Sequence, residues 1–342
     1  MLSSEQKRMY AESIKNFTYA FRKGRCLLCD GDSIRSHTIS KSNYLKLIGE
    51  GGSVLQWRQN WWAKESDDLM GLGPVVINEA STFPGFCAEH DGRLFESIDT
   101  LQFSARRDQL FLQAFRAHVR ELHCKRAQLS MVPEPSFIAM MHGLENPESY
   151  THSDFALLQQ EAMKAGLRDT ILHHNNLESI RISDDFARMQ HCVVTLESES
   201  GPFIASAGSF FPEILPDGTI LQNFMDLSTP QETLHFSLLP HVTGSYAVMS
   251  FLDVESFSPR QLIEAVNNYH RAADLICWMA FAYLENTFLR PSWWNGLGAS
   301  MKHAIRHAFD HNASLMSPES HTVDSMPPEF ITGMRIQNIF WL

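Results

Sequence analysis

Two short pairs of residues, Cys26-Leu-Leu-Cys29 and, well downstream, Cys87-Ala-Glu-His90, have the types and spacing of metal ligands. A Cys-x-x-Cys turn points two thiolates at one ion while backbone amides brace the sulfurs, and a Cys-x-x-His turn adds a third thiolate and an imidazole. Zinc prefers four such donors in a tetrahedron, so Cys26, Cys29, Cys87 and His90 are the expected ligands of one structural Zn²⁺. The long insert between the pairs departs from finger spacing. The ion would join distant segments, as a folding clamp does.

The elements that must position these ligands can be read from periodicity. Met9, Tyr10, Ile14, Phe17 and Phe21 predict a helix over 4–22, with Gly24 at its end, leading into the first knuckle. Ile34 to Ser40 reads as one arm of a hairpin carrying His37. Asn43 to Ile48 is helical in pattern, residues 70–84 read as a Gly/Pro-rich loop, and Asp91 to Ser97 reads as a turn or short helix. A long amphipathic helix is expected from Leu101 to Gln128, and a second from Asp154 to Ala165. Five short strand candidates follow, at Val193–Leu196, Phe203–Ala205, Thr219–Leu221, Leu234–Leu239 and Tyr246–Leu252. A helix capped by Ser258 should run to Leu289, and another from Ala299 to Phe309. The tail after Ser317 shows no pattern.

Composition sets the class. The 342 residues, 44 % hydrophobic, suffice for two domains, and no apolar run approaches a membrane span. No signal-peptide pattern opens the chain, so a cytoplasmic location and no membrane partner are expected. Six cysteines are few for this length, and Cys124, Cys192 and Cys277 sit in apolar contexts that read as core. The formal charge is −11, yet residues 1–64 hold eleven Lys/Arg against five Asp/Glu, a net of +6. Positive charge beside the first knuckle could hold a phosphate backbone, or could be a solvated helix face.

Cys26-x-x-Cys29, Ser36-His37 and the run from Ala80 through Cys87-x-x-His90-Asp91 to Phe95 resemble the HNH, or ββα-metal, nucleases. More narrowly they resemble a group of bacterial proteins sharing these blocks. The resemblance covers residues 24–97 and implies a treble-clef-like zinc module. Its functional implication is a metal-dependent endonuclease acting on nucleic acid, in bacterial defence. His37 would then be the general base and Asp91 the ligand of a catalytic Mg²⁺ or Mn²⁺, with Asn78 orienting the histidine. The alternatives from the residues themselves are a His37 bonded to the knuckle backbone or ligating zinc, and an Asp91 that caps the following helix. The chain lacks the doubled histidine at 36–37 and a helix-borne histidine after His90.

The other candidates weigh less. His173-His174-Asn175-Asn176 reads as a polar loop, and His303 and His307 share a helix face without the glutamate of a zinc-enzyme motif. Trp293-Trp294 reads as packing at a helix end. No serine nucleophile elbow or glycine-rich nucleotide fingerprint is present. The expected fold is α+β: a zinc-stabilised module over 1–130, then an α+β domain over 131–342 with a small antiparallel sheet flanked by helices. Beside the nuclease stands a second reading, a non-catalytic scaffold whose C-terminal domain binds a protein or small ligand.

Overall fold

The computed structural model describes residues 21–29, 31–59, 70–129, 154–253, 257–313 and 323–342, with Lys15 and Tyr19. Most of the helix expected over 4–22, and Trp61 and Trp62, lie outside them. The strands among the described residues are β1 (Ser36–His37), β2 (Ser53–Gln59), β3 (Met70–Val76), β4 (Thr82–Phe83), β5 (Met189–Glu197), β6 (Ile204–Phe210), β7 (Leu234–His241), β8 (Gly244–Leu252), β9 (Thr287–Leu289) and β10 (Arg335–Trp341). The main helices are α1 (Ala88–Leu94), α2 (Glu96–Asp99), α3 (Arg107–Leu129), α4 (Asp154–Ser183), α5 (Phe257–Asn267), α6 (Ala272–Tyr283), α7 (Pro291–Gly296) and α8 (Ala299–Ala313).

Eight strands form one antiparallel sheet in the order β10-β5-β8-β7-β6-β9-β2-β3. Side chains alternate across it as the two-residue period requires. Cys192, Val194 and Leu196 of β5, Phe236 and Leu238 of β7, and Met249 and Phe251 of β8 pack under α5, α6 and α8. Val193, Ala205, Ala207, Leu239 and Val248 face the opposite side, with Leu110 and Ala117 of α3. A third core gathers Phe111, Phe115 and Val119 of α3, Leu177 and Ile180 of α4, and Cys26, Phe83, Phe86, Phe95 and Ile98 from the N-terminal module.

The sheet is larger than expected, for three physical reasons. Met70 to Val76 was expected as loop, but as the outermost strand β3 can carry Gly71, Gly73 and Pro74, because an edge strand leaves one row of backbone groups unpaired. The helix expected from Ser258 to Leu289 breaks at 268–271, and its end, Thr287-Phe288-Leu289, enters the sheet between β6 and β2 as β9. The tail supplies β10. Strands from both sides of residue 130 thus share one sheet, and Glu50 caps α7 by accepting from Ser292 N at 2.9 Å.

Two further expectations change. Thr219–Leu221 makes only an isolated bridge, Ile214↔Ile220. The cap of α5 comes from Glu232, whose carboxylate accepts from Ser258 N at 2.7 Å and Phe257 N at 3.3 Å.

His191 of β5 lies fully buried on the α3 side of the sheet, bonded through Nδ1 to Ser250 Oγ at 2.8 Å. Burial, with the Arg107 charge, pushes its pKa down to about 3. The folded chain therefore refuses a proton that the unfolded chain takes up below its ordinary value of 6.5. Stability is full above that pH and falls as pH drops toward 3, by about 1.4 kcal/mol per pH unit for this one group. Urea unfolding at pH 7.5 and 5.0 should show a loss about 2 kcal/mol larger in wild type than in His191→Gln; equal losses would contradict the assignment.

Candidate metal centre

The first knuckle is a tight turn in which Cys26 N donates to Gly31 O at 2.9 Å, flanked by the Arg25↔Asp32 bridge. The second begins α1. Cys87 is the extended N-cap residue, its Sγ accepts from His90 N at 3.5 Å, and one helical turn brings the His90 ring back over it. Backbone bonds hold the two together, Leu27 N to Gly85 O at 3.0 Å and Ile34 N to Phe86 O at 2.7 Å. Between them β1 pairs antiparallel with β4, His37 opposite Thr82, so the order is knuckle, two-stranded ribbon, knuckle, helix.

Four donor atoms, one each from Cys26, Cys29, Cys87 and His90, lie within 4.8 Å of one another and could hold a metal ion. Cys29 Sγ and Cys87 Sγ are 3.8 Å apart, and His90 Nδ1 is 3.3 Å from both Cys26 Sγ and Cys87 Sγ. With metal–sulfur bonds of about 2.3 Å and metal–nitrogen bonds of about 2.0–2.1 Å, a tetrahedron needs sulfurs about 3.8 Å apart and sulfur–nitrogen pairs about 3.6 Å apart. The donors stand close to those spacings. Burial opposes ionisation of Cys26, but hydrogen bonds from the Cys87 and Leu28 backbone outweigh it and lower its pKa. An ion held by four protein donors would have no position for substrate, as in closed sites.

His37 and Asp91 sit elsewhere in this module. Burial lowers the His37 pKa, reinforced by the Arg116 charge and partly offset by a hydrogen bond to the Ile77 backbone, while Nε2 has no partner among the described residues. The ring is therefore neutral near pH 7. Burial raises the Asp91 carboxyl, partly offset by the Ser36 hydroxyl, and Oδ1 is buried without a good hydrogen bond among the described residues. Asp91 is not the N-cap of α1, since Cys87 occupies that position. Asn78 accepts from Lys41 Nζ at 3.3 Å. Arg116 of α3, fully buried, influences both groups; its Nη1 donates to Asp99 Oδ2 at 2.8 Å and its Nε to Thr38 O at 3.1 Å.

The remaining sequence candidates divide. His173 and His174 lie inside α4, because Leu177 and Ile180 extend its apolar stripe onto Phe111 and Phe115 and override the helix-poor Asn pair. His173 joins His118 and His235 in a second donor group, which no local spacing in the sequence announces. His303 and His307 lie on an exposed face of α8, and Cys124, Cys192 and Cys277 are buried core. Trp294 packs edge-on to Trp57 at 5.6 Å, and Trp293 stacks on Phe203 at 4.1 Å.

Gly24 gives a direct test of the clamp. A Cβ at that position would stand 2.2 Å from Pro84 O, a backbone atom three residues before Cys87. Gly24→Ala must separate the two knuckles to relieve the clash. Its metal dissociation constant, measured by chelator competition, should rise at least tenfold while the Gly296→Ala control, in open space, stays unchanged.

Comparison of the chain with protein-family models, with curated protein sequences and with solved structures finds no match in any of the three.

Proposed function

We propose that the Cys26/Cys29/Cys87/His90 cluster holds a structural zinc ion and that the unit it ties together is a treble-clef-like ββα module of the HNH type. The observation that carries this reading is the spacing of the four donors, already near that of a tetrahedral S₃N site. Zinc suits it better than a hard cation, because three of the donors are thiols. In this reading zinc supplies cohesion only, on the order of 10 kcal/mol in small metal-folded units.

For the module's activity, the nuclease reading is favoured by one arrangement. A ribbon carrying His37 is followed by a helix carrying Asp91, and each offers a polar atom without a partner among the described residues. His37, neutral near pH 7, is in the state a general base needs. It would take the proton of the attacking water through Nε2. Asp91 would hold a Mg²⁺ or Mn²⁺ ion, whose charge stabilises the leaving oxygen of a phosphodiester. The basic segment before residue 64 would track the phosphate backbone. The scaffold reading, in which the larger domain binds a protein or small ligand, keeps the zinc and discards the chemistry.

Zinc per protomer, followed by incubation with plasmid DNA and RNA plus Mg²⁺ or Mn²⁺, separates these readings. The nuclease reading expects Cys87→Ser to lose zinc and melt earlier. It expects His37→Ala to keep zinc and folding while cutting falls by roughly 10²–10⁴. Cutting should persist below pH 6.5 because the His37 pKa is lowered. Zinc-loaded protein that cuts neither polymer rejects the nuclease reading, and zinc-free folded protein rejects the clamp.

A further inference from the structure

A second group of nitrogen donors lies between α3, α4 and the sheet, apart from the clamp. His118 of α3, His173 of α4 and His235 of β7 each offer one ring nitrogen, and those atoms lie within 4.8 Å of one another. All three rings are buried, with centroids 4.9 to 5.5 Å apart. The bond to a backbone carbonyl settles which nitrogen of His118 carries a lone pair. A carbonyl can only accept, so His118 Nε2, 3.2 Å from Thr170 O, carries the hydrogen and Nδ1 presents a lone pair. That Nδ1 is buried and has no partner among the described residues. His235 Nδ1 is taken by Ser209 Oγ at 2.7 Å, and its Nε2 faces His173 Nε2 at 2.8 Å.

A proton shared between His173 and His235 would satisfy those two rings but leave the His118 lone pair buried without a partner, at a cost of about 1–3 kcal/mol. One cation satisfies all three. Burial also keeps the rings neutral, His173 down to about 3, and the neutral imidazole is the form that ligates. We propose that His118, His173 and His235 are the ligands of a second metal site, for a divalent first-row transition ion of the zinc class. Nitrogens about 2.0–2.1 Å from a tetrahedral ion lie about 3.3 Å apart, so binding opens the His173–His235 pair by roughly half an ångström, a small side-chain rotation.

The surroundings fit an open site. Ser209 holds His235 and Thr170 holds His118, as outer partners fix ligating histidines elsewhere. His118, Ser209 and Thr170 also line a cavity of 280 Å³ whose wall carries Arg120 and Lys125. Of the three histidines it is His118 that borders this cavity, whose lining also includes Glu121 and Glu285. Three protein ligands leave a fourth position for water or a small oxygen ligand, unlike the closed clamp.

The test uses the full chain, stripped by chelation and titrated with Co²⁺ and then Zn²⁺. Two equivalents are expected, one with thiolate-to-cobalt absorption in the near ultraviolet and one with visible ligand-field bands alone. Zinc-edge X-ray absorption of the wild type should show the three cysteine sulfurs shared between two ions. His173→Gln should lose one equivalent and keep the thiolate band, which also reports that the variant is folded around the clamp. One ion with nitrogen and oxygen ligands only would support this site and reject the clamp. A single equivalent carrying all the sulfur overturns the proposal, as does a folded His173→Gln that binds both ions as tightly as wild type. Should that variant not fold, the wild-type stoichiometry and sulfur count decide alone.

Discussion

The guanidinium of Arg116 is the constraint around which the N-terminal half is arranged. It is fully buried in the middle of α3, and a buried charge is tolerated only when paired and hydrogen-bonded. Asp99 from α2 supplies the countercharge, Thr38 O just after β1 accepts from Nε, and the Phe95 ring lies 4.8 Å from the charge centre. One side chain thereby fixes the ribbon, α1–α2 and the long helix relative to one another. Removing one partner of such a pair costs about 3–5 kcal/mol. The same charge depresses the His37 pKa and pulls against the rise of Asp91.

A metal ion held by the four donors would do what hydrophobic burial there cannot. β1 and β4 have two residues each, too short to persist by themselves, and α1 buries no residue fully. What apolar cohesion the module has is a cluster of rings, Phe83, Phe86 and Phe95, which joins it to Phe111 and Phe115 of α3. Ligation at its outer edge would complement ring packing at its inner edge, since Cys26 is buried and Cys29 exposed.

What could be read beforehand depended on how local the signal was. Cys-x-x-Cys and Cys-x-x-His are each a single turn, so their types and spacing survive in the sequence. The strand pattern survived in runs that are mostly buried on both faces, as in Val193–Leu196 and Leu234–Leu239. β3 did not, because its Gly and Pro are excused only by its edge position. Nor did the break before β9, since Thr287-Phe288-Leu289 becomes a strand only through partners in β6 and β2. His118, His173 and His235 come from three segments separated by 52 or more residues, and no periodicity links them. The one visible hint, His173-His174, was set in a helix by packing against α3.

The helix α3 also explains why two polar zones can exist inside one core. Residues 116 and 118 are separated by about 200° around a helix axis. Arg116 therefore addresses the N-terminal module while His118 addresses α4 and the sheet, with Phe111, Phe115 and Val119 filling the α4 side. The sheet face opposite His118 is built from small or polar residues, Ala205, Ala207, Ser209 and Ser237, leaving room for imidazoles where larger aliphatics would have closed the layer. A helix buried on all sides must find a partner for every polar group it carries. Arg116 finds a carboxylate, Gln109 finds the carbonyls of Ser97 and Gln102, and Gln113 reaches Thr38 O and Ser237 Oγ. Among the described residues His118 Nδ1 is left without a partner, as are Arg116 Nη2 and Gln113 Oε1 on the same helix. Asp99 brings a countercharge to a fixed cation, and a bound cation would bring the equivalent to a fixed set of lone pairs, so the same rule of buried polarity accounts for both faces of the helix.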